Sequence, residues 1–167
     1  PDPGDPEAAL VAIDPRSGAV RAMVGGRNWN RSKVNLATGD GGTGRQAGSA
    51  FKVFTLVAAL EDRISLSSRW RGPASITIDD PRCYTNGRPW TLSNASDSEA
   101  GTFTLLQATA HSVNTVYAQL VTVVGPDEVV RVAHRMGIDS PLDPVCSITL
   151  GTQEVTPLEM TRAYATD

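Results

Sequence analysis

Arg45-Gln46-Ala47-Gly48-Ser49-Ala50-Phe51-Lys52-Val53-Phe54-Thr55-Leu56-Val57-Ala58-Ala59-Leu60 sets a serine and a lysine one helical turn apart at the head of an apolar run. Gly48 closes a polar, glycine-rich stretch, and the residues after it favour helix and carry an almost continuous apolar surface. A helix is therefore expected to begin near Ser49, to stop near Asp62 and to be largely buried. The spacing puts Ser49 and Lys52 on one helical face. A serine hydroxyl is a poor nucleophile until a base takes its proton, and a lysine amine takes it only when neutral. Burial and the positive end of a helix dipole both favour the neutral amine. The same helix start leaves backbone N–H groups unpartnered, and that of Ser49 is placed to donate to a developing oxyanion. By itself Ser-x-x-Lys is a weak signal, because serine often starts helices and lysine is common within them. Two details raise it: Lys52 sits between Phe51 and Val53-Phe54, where a solvated lysine is unexpected, and the small residues before it let a substrate approach.

Around that turn the chain has the composition of an ordinary globular protein, 167 residues with 40% hydrophobic and 20% charged, enough for one domain or part of one. Fifteen Lys+Arg against eighteen Asp+Glu give a net charge of -3, so there is no electrostatic footprint for nucleic acid. No apolar run of about 18 residues is present, and the opening Pro1-Asp2-Pro3-Gly4-Asp5-Pro6 resembles neither a signal peptide nor a membrane span. Residues 1–7 read as a linker cut from something larger. Cys83 and Cys146 lack metal-ligand spacing, which argues against a zinc site. They fit two buried thiols in a reducing compartment or one disulfide in an oxidising one.

In order along the chain, residues 8–13 and 19–26 read as two strands joined by the Asp14-Pro15-Arg16-Ser17-Gly18 turn. Both are apolar at most positions, which predicts a hairpin in a covered sheet. Residues 27–48 read as loop, most flexible at 38–44. Residues 63–98 have little helical period, with Ile76-Thr77-Ile78 as a short strand and Asn86-Gly87 as a turn. Thr102 or Thr104 caps a short helix through His111, broken at Ser112-Val113-Asn114, and Thr115 to Val124 follows as an apolar helix. Pro126-Asp127-Glu128 opens a third that Gly137 stops, and Thr156-Pro157-Leu158-Glu159 is a capping box for the last. Ser112-Val113-Asn114 presents a hydroxyl and an amide where one helix breaks into the next. Alone it reads as a helix junction with Asn114 as a cap; functionally, Ser112 relays a proton between Lys52 and a leaving group while Asn114 holds a substrate amide.

Taken together, Ser49-Ala50-Phe51-Lys52 and Ser112-Val113-Asn114-Thr115 resemble the first two signatures of the penicillin-binding serine acyltransferases, whose set is Ser-x-x-Lys, Ser-Asp-Asn and Lys-Thr-Gly. Val113 stands where the second signature has Asp, as is common in the penicillin-binding branch. Residues 10–26 and Leu150-Gly151-Thr152-Gln153-Glu154-Val155-Thr156-Pro157-Leu158-Glu159 resemble the transpeptidase domain of the class A, bifunctional members, so the similarity runs from about Ala8 to the last residue. The resemblance implies an α/β penicillin-binding/β-lactamase-like fold, a sheet flanked by helices plus a helical subdomain, incomplete in this chain. Residues 8–62 would hold the first strands and the nucleophile helix, and 95–167 the mainly helical part. It also implies a D,D-transpeptidase that cross-links peptidoglycan stem peptides ending in D-Ala-D-Ala, is acylated by β-lactams and needs no metal or cofactor. Ser49, Lys52 and Ser112 would be catalytic, and Ser49 and Asn114 would hold substrate. The setting implied is the extracytoplasmic face of a bacterial membrane, reached through an anchor outside this chain, and that oxidising exterior favours a Cys83–Cys146 disulfide. No Lys-Thr-Gly occurs in the sequence. The remainder of the domain is therefore expected as a second chain or a cleaved piece, and the isolated 167 residues are expected to be inactive.

Other readings compete. A D,D-carboxypeptidase or a β-lactam-binding sensor shares the same fold. A β-lactamase needs a glutamate-activated water, normally from a Glu-x-x-x-Asn segment, and Glu128, Glu154 and Glu159 have no Asn four residues later. Gly39-Asp40-Gly41-Gly42-Thr43-Gly44 satisfies Gly-x-Gly-x-x-Gly with Asp62 about 20 residues on, the spacing of a nucleotide-binding module. However, Val34-Asn35-Leu36-Ala37 is a poor strand, Asp62 ends a helix, and Arg45-Gln46 stand where a phosphate loop needs Lys and Ser or Thr.

Overall fold

The computed structural model describes residues 7–28, 30, 33–40, 44–96 and 100–166. Residues 1–6 of the expected linker and residues 41–43 of the glycine loop lie outside them. In chain order the elements are β1 (Leu10–Ile13), β2 (Val20–Val24), β3 (Arg45–Gln46), a 3-10 turn Gly48–Phe51, α1 (Lys52–Glu61), β4 (Arg69–Gly72) and β5 (Ser75–Ile78). A 3-10 turn Pro81–Cys83 follows, then β6 (Trp90–Ser93), β7 (Gly101–Thr104), α2 (Leu105–Ala110), α3 (Asn114–Val124) and α4 (Pro126–Arg135). A 3-10 turn Cys146–Leu150, β8 (Glu154–Val155) and α5 (Pro157–Tyr164) complete the chain. Among the described residues the strands pair two by two, all antiparallel: β1 with β2, β3 with β8, β4 with β7 and β5 with β6. The chain divides into two compact units.

The first unit comprises residues 1–46, 133–141 and 153–167. Its β1–β2 hairpin forms where the apolar runs and the Asp-Pro-x-x-Gly turn place it. Gly18 N–H donates to Asp14 O, Arg16 N–H donates to the Asp14 carboxylate, and Arg21 pairs with that carboxylate at 2.7 Å. The Arg21 guanidinium, helped by Arg16 N–H and by Ser17, holds the Asp14 carboxyl below its ordinary range. The expected covering of the hairpin is not observed, since Leu10 is 53% exposed and every residue of β2 is exposed. The physical reason is that α5 packs against β1, whereas β2 has no strand beyond it among the described residues. The glycine loop is likewise no strand-to-phosphate turn: residues 36–39 form a turn closed by an Asn35–Asp40 bridge.

α5 starts as its sequence dictates. Thr156 Oγ1 accepts from Glu159 N–H while the Glu159 carboxylate takes Thr156 N–H, a capping box with Pro157 inside it. Glu159 is buried and also accepts from Asp139 N–H, Ser140 N–H and the Ser140 hydroxyl. Burial alone would raise its carboxyl, but these donors outweigh burial and hold it below the ordinary carboxylate range. A carboxyl lowered in the folded state adds stability above its unfolded value, and that stability is lost as pH falls through the folded value. Glu159→Gln puts an NH2 against backbone donors on one side or the other. It is expected to destabilise the fold by about 1–3 kcal/mol at pH 7. The gap to wild type should close as melting curves are taken at increasingly acid pH; a gap independent of pH would contradict this account.

The second unit, residues 47–132 and 142–152, has a mainly apolar centre that also buries Lys52, Thr55, Thr115 and Thr149. Phe51, Phe54, Leu105, Val113, Val116, Tyr117, Leu120 and Ile148 are almost fully inaccessible. Residues 63–98 pair both within themselves, Ser75–Ile78 with Trp90–Ser93, and with later chain, Arg69–Gly72 with Gly101–Thr104. Between Thr85 and Arg88, Asn86 and Gly87 both adopt positive φ, as a two-residue hairpin turn requires. Thr104 caps α2 in a reciprocal box with Gln107. Cys83 and Cys146 are joined in a disulfide that ties the Pro81–Cys83 turn to the Cys146–Leu150 turn, closing a loop of 63 residues. Such a closure is worth about 4 kcal/mol in the chain-entropy model.

Candidate active site

The helix expected from Ser49 is tighter at its start than an α-helix. Gly48–Phe51 is a 3-10 turn, and Lys52 N–H donates to the Ser49 carbonyl. In a 3-10 turn residues i and i+3 eclipse, so the Ser49 and Lys52 side chains leave the same side of the chain. Ser49 is exposed. Lys52 is 5% exposed and flanked by the buried Phe51 and Phe54, whose rings lie 4.5 Å apart. The Ser49 N–H falls in the first turn, where backbone donors have no helical partner.

Lys52 Nζ donates to Ser112 O at 2.6 Å, Ser112 Oγ at 2.9 Å and Asn114 Oδ1 at 2.7 Å. It also stands 5.3 Å from the centre of the Tyr117 ring. These residues meet because of how α2 ends. Ser112 N–H donates to Thr109 O and Val113 N–H to Ala108 O, the paired bonds of a Schellman motif. That motif needs a left-handed residue, ordinarily glycine, and Ser112 occupies it with φ 55. A side chain there costs about 1–2 kcal/mol. Val113, next in the chain, is fully buried against Ala108 and Val116, which fixes the junction. The strained position aims both the carbonyl and the hydroxyl of Ser112 at one amine.

Asn114 is the first residue of α3, with Val113 rather than Asn114 as the cap. Its Nδ2 donates to Ser93 O at 3.2 Å, so only one orientation of the amide pairs donors with acceptors on both sides. The adjoining Asn94 accepts from Thr115 N–H, and the Thr115 hydroxyl donates to Pro73 O. The end of the β5–β6 pair is thus fastened to the first turn of α3. One of the two Nδ2 hydrogens goes to Ser93; the other is available to a further acceptor.

Two of the four residues singled out in the sequence, Ser112 and Asn114, converge on the nitrogen of a third, Lys52, and Ser49 precedes that lysine by a single turn. Tyr117 as a neighbour of the amine and the Ser93 carbonyl as the partner of the Asn114 amide were not legible in the sequence. Tyr117 carries a faint signal, an aromatic hydroxyl three residues past Asn114 in a mainly apolar helix; a backbone carbonyl has none. Glu159, the best-connected carboxylate among the described residues, belongs to the first unit, where its five hydrogen bonds are a structural cap.

The family description "Penicillin binding protein transpeptidase domain" matches residues 8–166. Penicillin-binding protein 1A of Aquifex aeolicus is 39% identical over 161 residues, covering 96% of this chain and 21% of that protein. Penicillin-binding protein 1A of Mycobacterium tuberculosis is 35% identical over 97% of this chain and 20% of its own length. This chain therefore spans about a fifth of the curated relatives it matches. The crystal structure of penicillin-binding protein 1A from Haemophilus influenzae superimposes with a TM-score of 0.83 at 32% identity, over 95% of this chain and 23% of that one. The penicillin G acyl-enzyme of M. tuberculosis penicillin-binding protein A shares the fold, with a TM-score of 0.77 at 22% identity over 95% and 45% of the two chains. On the fold it adopts and the sequence it shares, this chain belongs to the penicillin-binding protein transpeptidase family.

Proposed function

We propose that this chain carries the nucleophile half of a D,D-transpeptidase site that cross-links peptidoglycan stem peptides and is acylated by β-lactams. The observation that carries the reading is the convergence of Ser112 and Asn114, 60 and 62 residues further along the chain, on the buried amine one turn from Ser49. Ser49 Oγ attacks the carbonyl carbon of the penultimate D-Ala, and its proton passes to Lys52 Nζ. Both forms of the amine fit these partners. As ammonium, Nζ donates to all three oxygens; as neutral amine, it donates to Ser112 O and Asn114 Oδ1 and accepts from the Ser112 hydroxyl. For attack the Ser112 O–H turns away, which frees that lone pair to take the Ser49 proton. The Ser49 N–H stabilises the oxyanion, and the second Nδ2 hydrogen of Asn114 donates to a substrate amide.

The C–N bond then breaks, the D-Ala nitrogen takes a proton through Ser112, and an acyl-Ser49 remains. An amine of a neighbouring stem attacks that ester, gives up its proton to the same relay and restores the serine. A β-lactam enters at the first step, its ring amide in place of the D-Ala-D-Ala bond. The family's Lys-Thr-Gly strand, absent from this sequence, would be supplied by further polypeptide to complete the pocket. The reading places the reaction on the extracytoplasmic face of a bacterial membrane; no helix among the described residues is long and apolar enough to cross one. Incubating the intact protein with a fluorescent penicillin and locating the adduct by peptide mass spectrometry is expected to show one adduct, on Ser49. No adduct, or an adduct on another residue, would overturn the reading.

A further inference from the structure

We infer that the Cys146–Gly151 segment is the positioning brace of the Ser49 turn, an inference that rests on the acyl-serine reading and adds residues to it. The segment is fixed at three points. Its first residue, Cys146, is disulfide-bonded to Cys83, and both are buried. In its middle, Thr149 Oγ1 accepts from Thr55 Oγ1 at 2.8 Å, and neither threonine has any exposure. At its end, Gly151 O accepts from Gly48 N–H at 3.3 Å.

That last contact is a close backbone clasp. Gly151 has φ +66 and Gly48 has φ +59. A Cβ on Gly151 would overlap the carbonyl oxygen and amide nitrogen of Gly48 and lie 2.9 Å from its carbonyl carbon, whereas a Cβ on Gly48 meets nothing within 4 Å. The fit is thus one-sided, with position 151 pressed onto the residue immediately before Ser49. Thr55, the other point of attachment, lies one turn beyond Lys52.

The Ser49 turn needs such support. The residue that caps it, Ala47, offers no side-chain hydrogen bond, nor does Phe51 for α1. First turns lack intrahelical N–H partners and are held only from outside. The Cys146–Gly151 segment supplies that holding at Gly48 and at Thr55, on either side of the Ser49–Lys52 pair. It acts through those residues, so its loss falls on the rate of attack by Ser49 more than on binding.

The test is pre-steady-state acylation of the intact protein by a chromogenic penicillin, resolving the first-order acylation constant from the dissociation constant, with melting curves alongside. Gly151→Ala is expected to lower the acylation constant about 100-fold, the scale of a misplacement near 1 Å, with a much smaller change in dissociation constant. Thr149→Val removes the buried acceptor at nearly equal volume and is expected to cost about tenfold, the equivalent of one lost hydrogen bond. Thr149→Ser keeps the hydroxyl and should restore most of that loss. If both Thr149→Val and Gly151→Ala fold and acylate at the wild-type rate, the brace is refuted. If Gly151→Ala fails to fold, Thr149→Val against Thr149→Ser decides: a valine variant that only melts earlier, or a serine that fails to rescue, refutes it equally. Wild type that never forms an adduct at Ser49 refutes the acyl-serine reading instead.

Discussion

Ser49→Ala is expected to abolish covalent labelling by a fluorescent penicillin while leaving the fold intact. The side chain is exposed, and the residue lies within a 3-10 turn whose cap is Ala47 without a side-chain bond. Removing Oγ therefore opens no cavity. Alanine is the best helix former, so the stability change should stay within about 0.5 kcal/mol, as for other surface substitutions. The chemical effect has no such limit, because without Oγ there is no atom to carry the acyl group. Transition-state contacts at the oxyanion survive, but they lead to no adduct. Gel fluorescence and a melting curve on the same preparation check both halves. A labelled Ser49→Ala protein would mean that another hydroxyl is the nucleophile. Ser112 would be the first to examine, since its Oγ also meets Lys52.

Local punctuation made much of this architecture legible, and long-range pairing made the rest opaque. Pro126 with two acids behind it and Thr156 with Glu159 are self-contained signals, and each marks a helix start in the structure; for α2 the sequence left the cap between Thr102 and Thr104, and it is Thr104. The β1–β2 hairpin is equally clear from its turn, but its exposure is not. An apolar strand shows what a face is suited to, not whether a neighbour covers it. The Arg69-Trp70-Arg71-Gly72 strand is too short for its alternation to betray it, and its partner begins at Gly101, so neither half is readable without the other.

The site divides the same way. Ser49 and Lys52 were legible because the spacing between them is the whole geometry. The Ser112-Val113-Asn114 junction was legible as a helix break, but the left-handed serine at its centre was not. Nothing in the residue type announces that a position usually given to glycine will carry a side chain. The clasp between Gly48 and Gly151 is harder still: each glycine alone reads as a loop residue, and only the fold makes them neighbours.

Lys52→Arg is expected to slow acylation of the intact protein by about 100- to 10,000-fold, the range lost with a general base. A guanidinium holds its proton under all working conditions and has no lone pair to receive that of Ser49. It keeps the donors, however, and can still lean on the Tyr117 ring, so the structural half of the role is partly retained. Lys52→Met separates the two halves. Methionine fills the apolar slot but leaves Ser112 O and Asn114 Oδ1 without the donor each has at 2.6 and 2.7 Å. An orphaned buried acceptor costs about 1–3 kcal/mol, and Ser112 also loses a contact that offsets its strained backbone. Methionine should therefore melt earlier than arginine, while both acylate at similarly depressed rates. Should arginine melt earlier but acylate nearly as fast as wild type, Lys52 would be a brace for the α2–α3 junction, and the base that activates Ser49 would have to lie elsewhere.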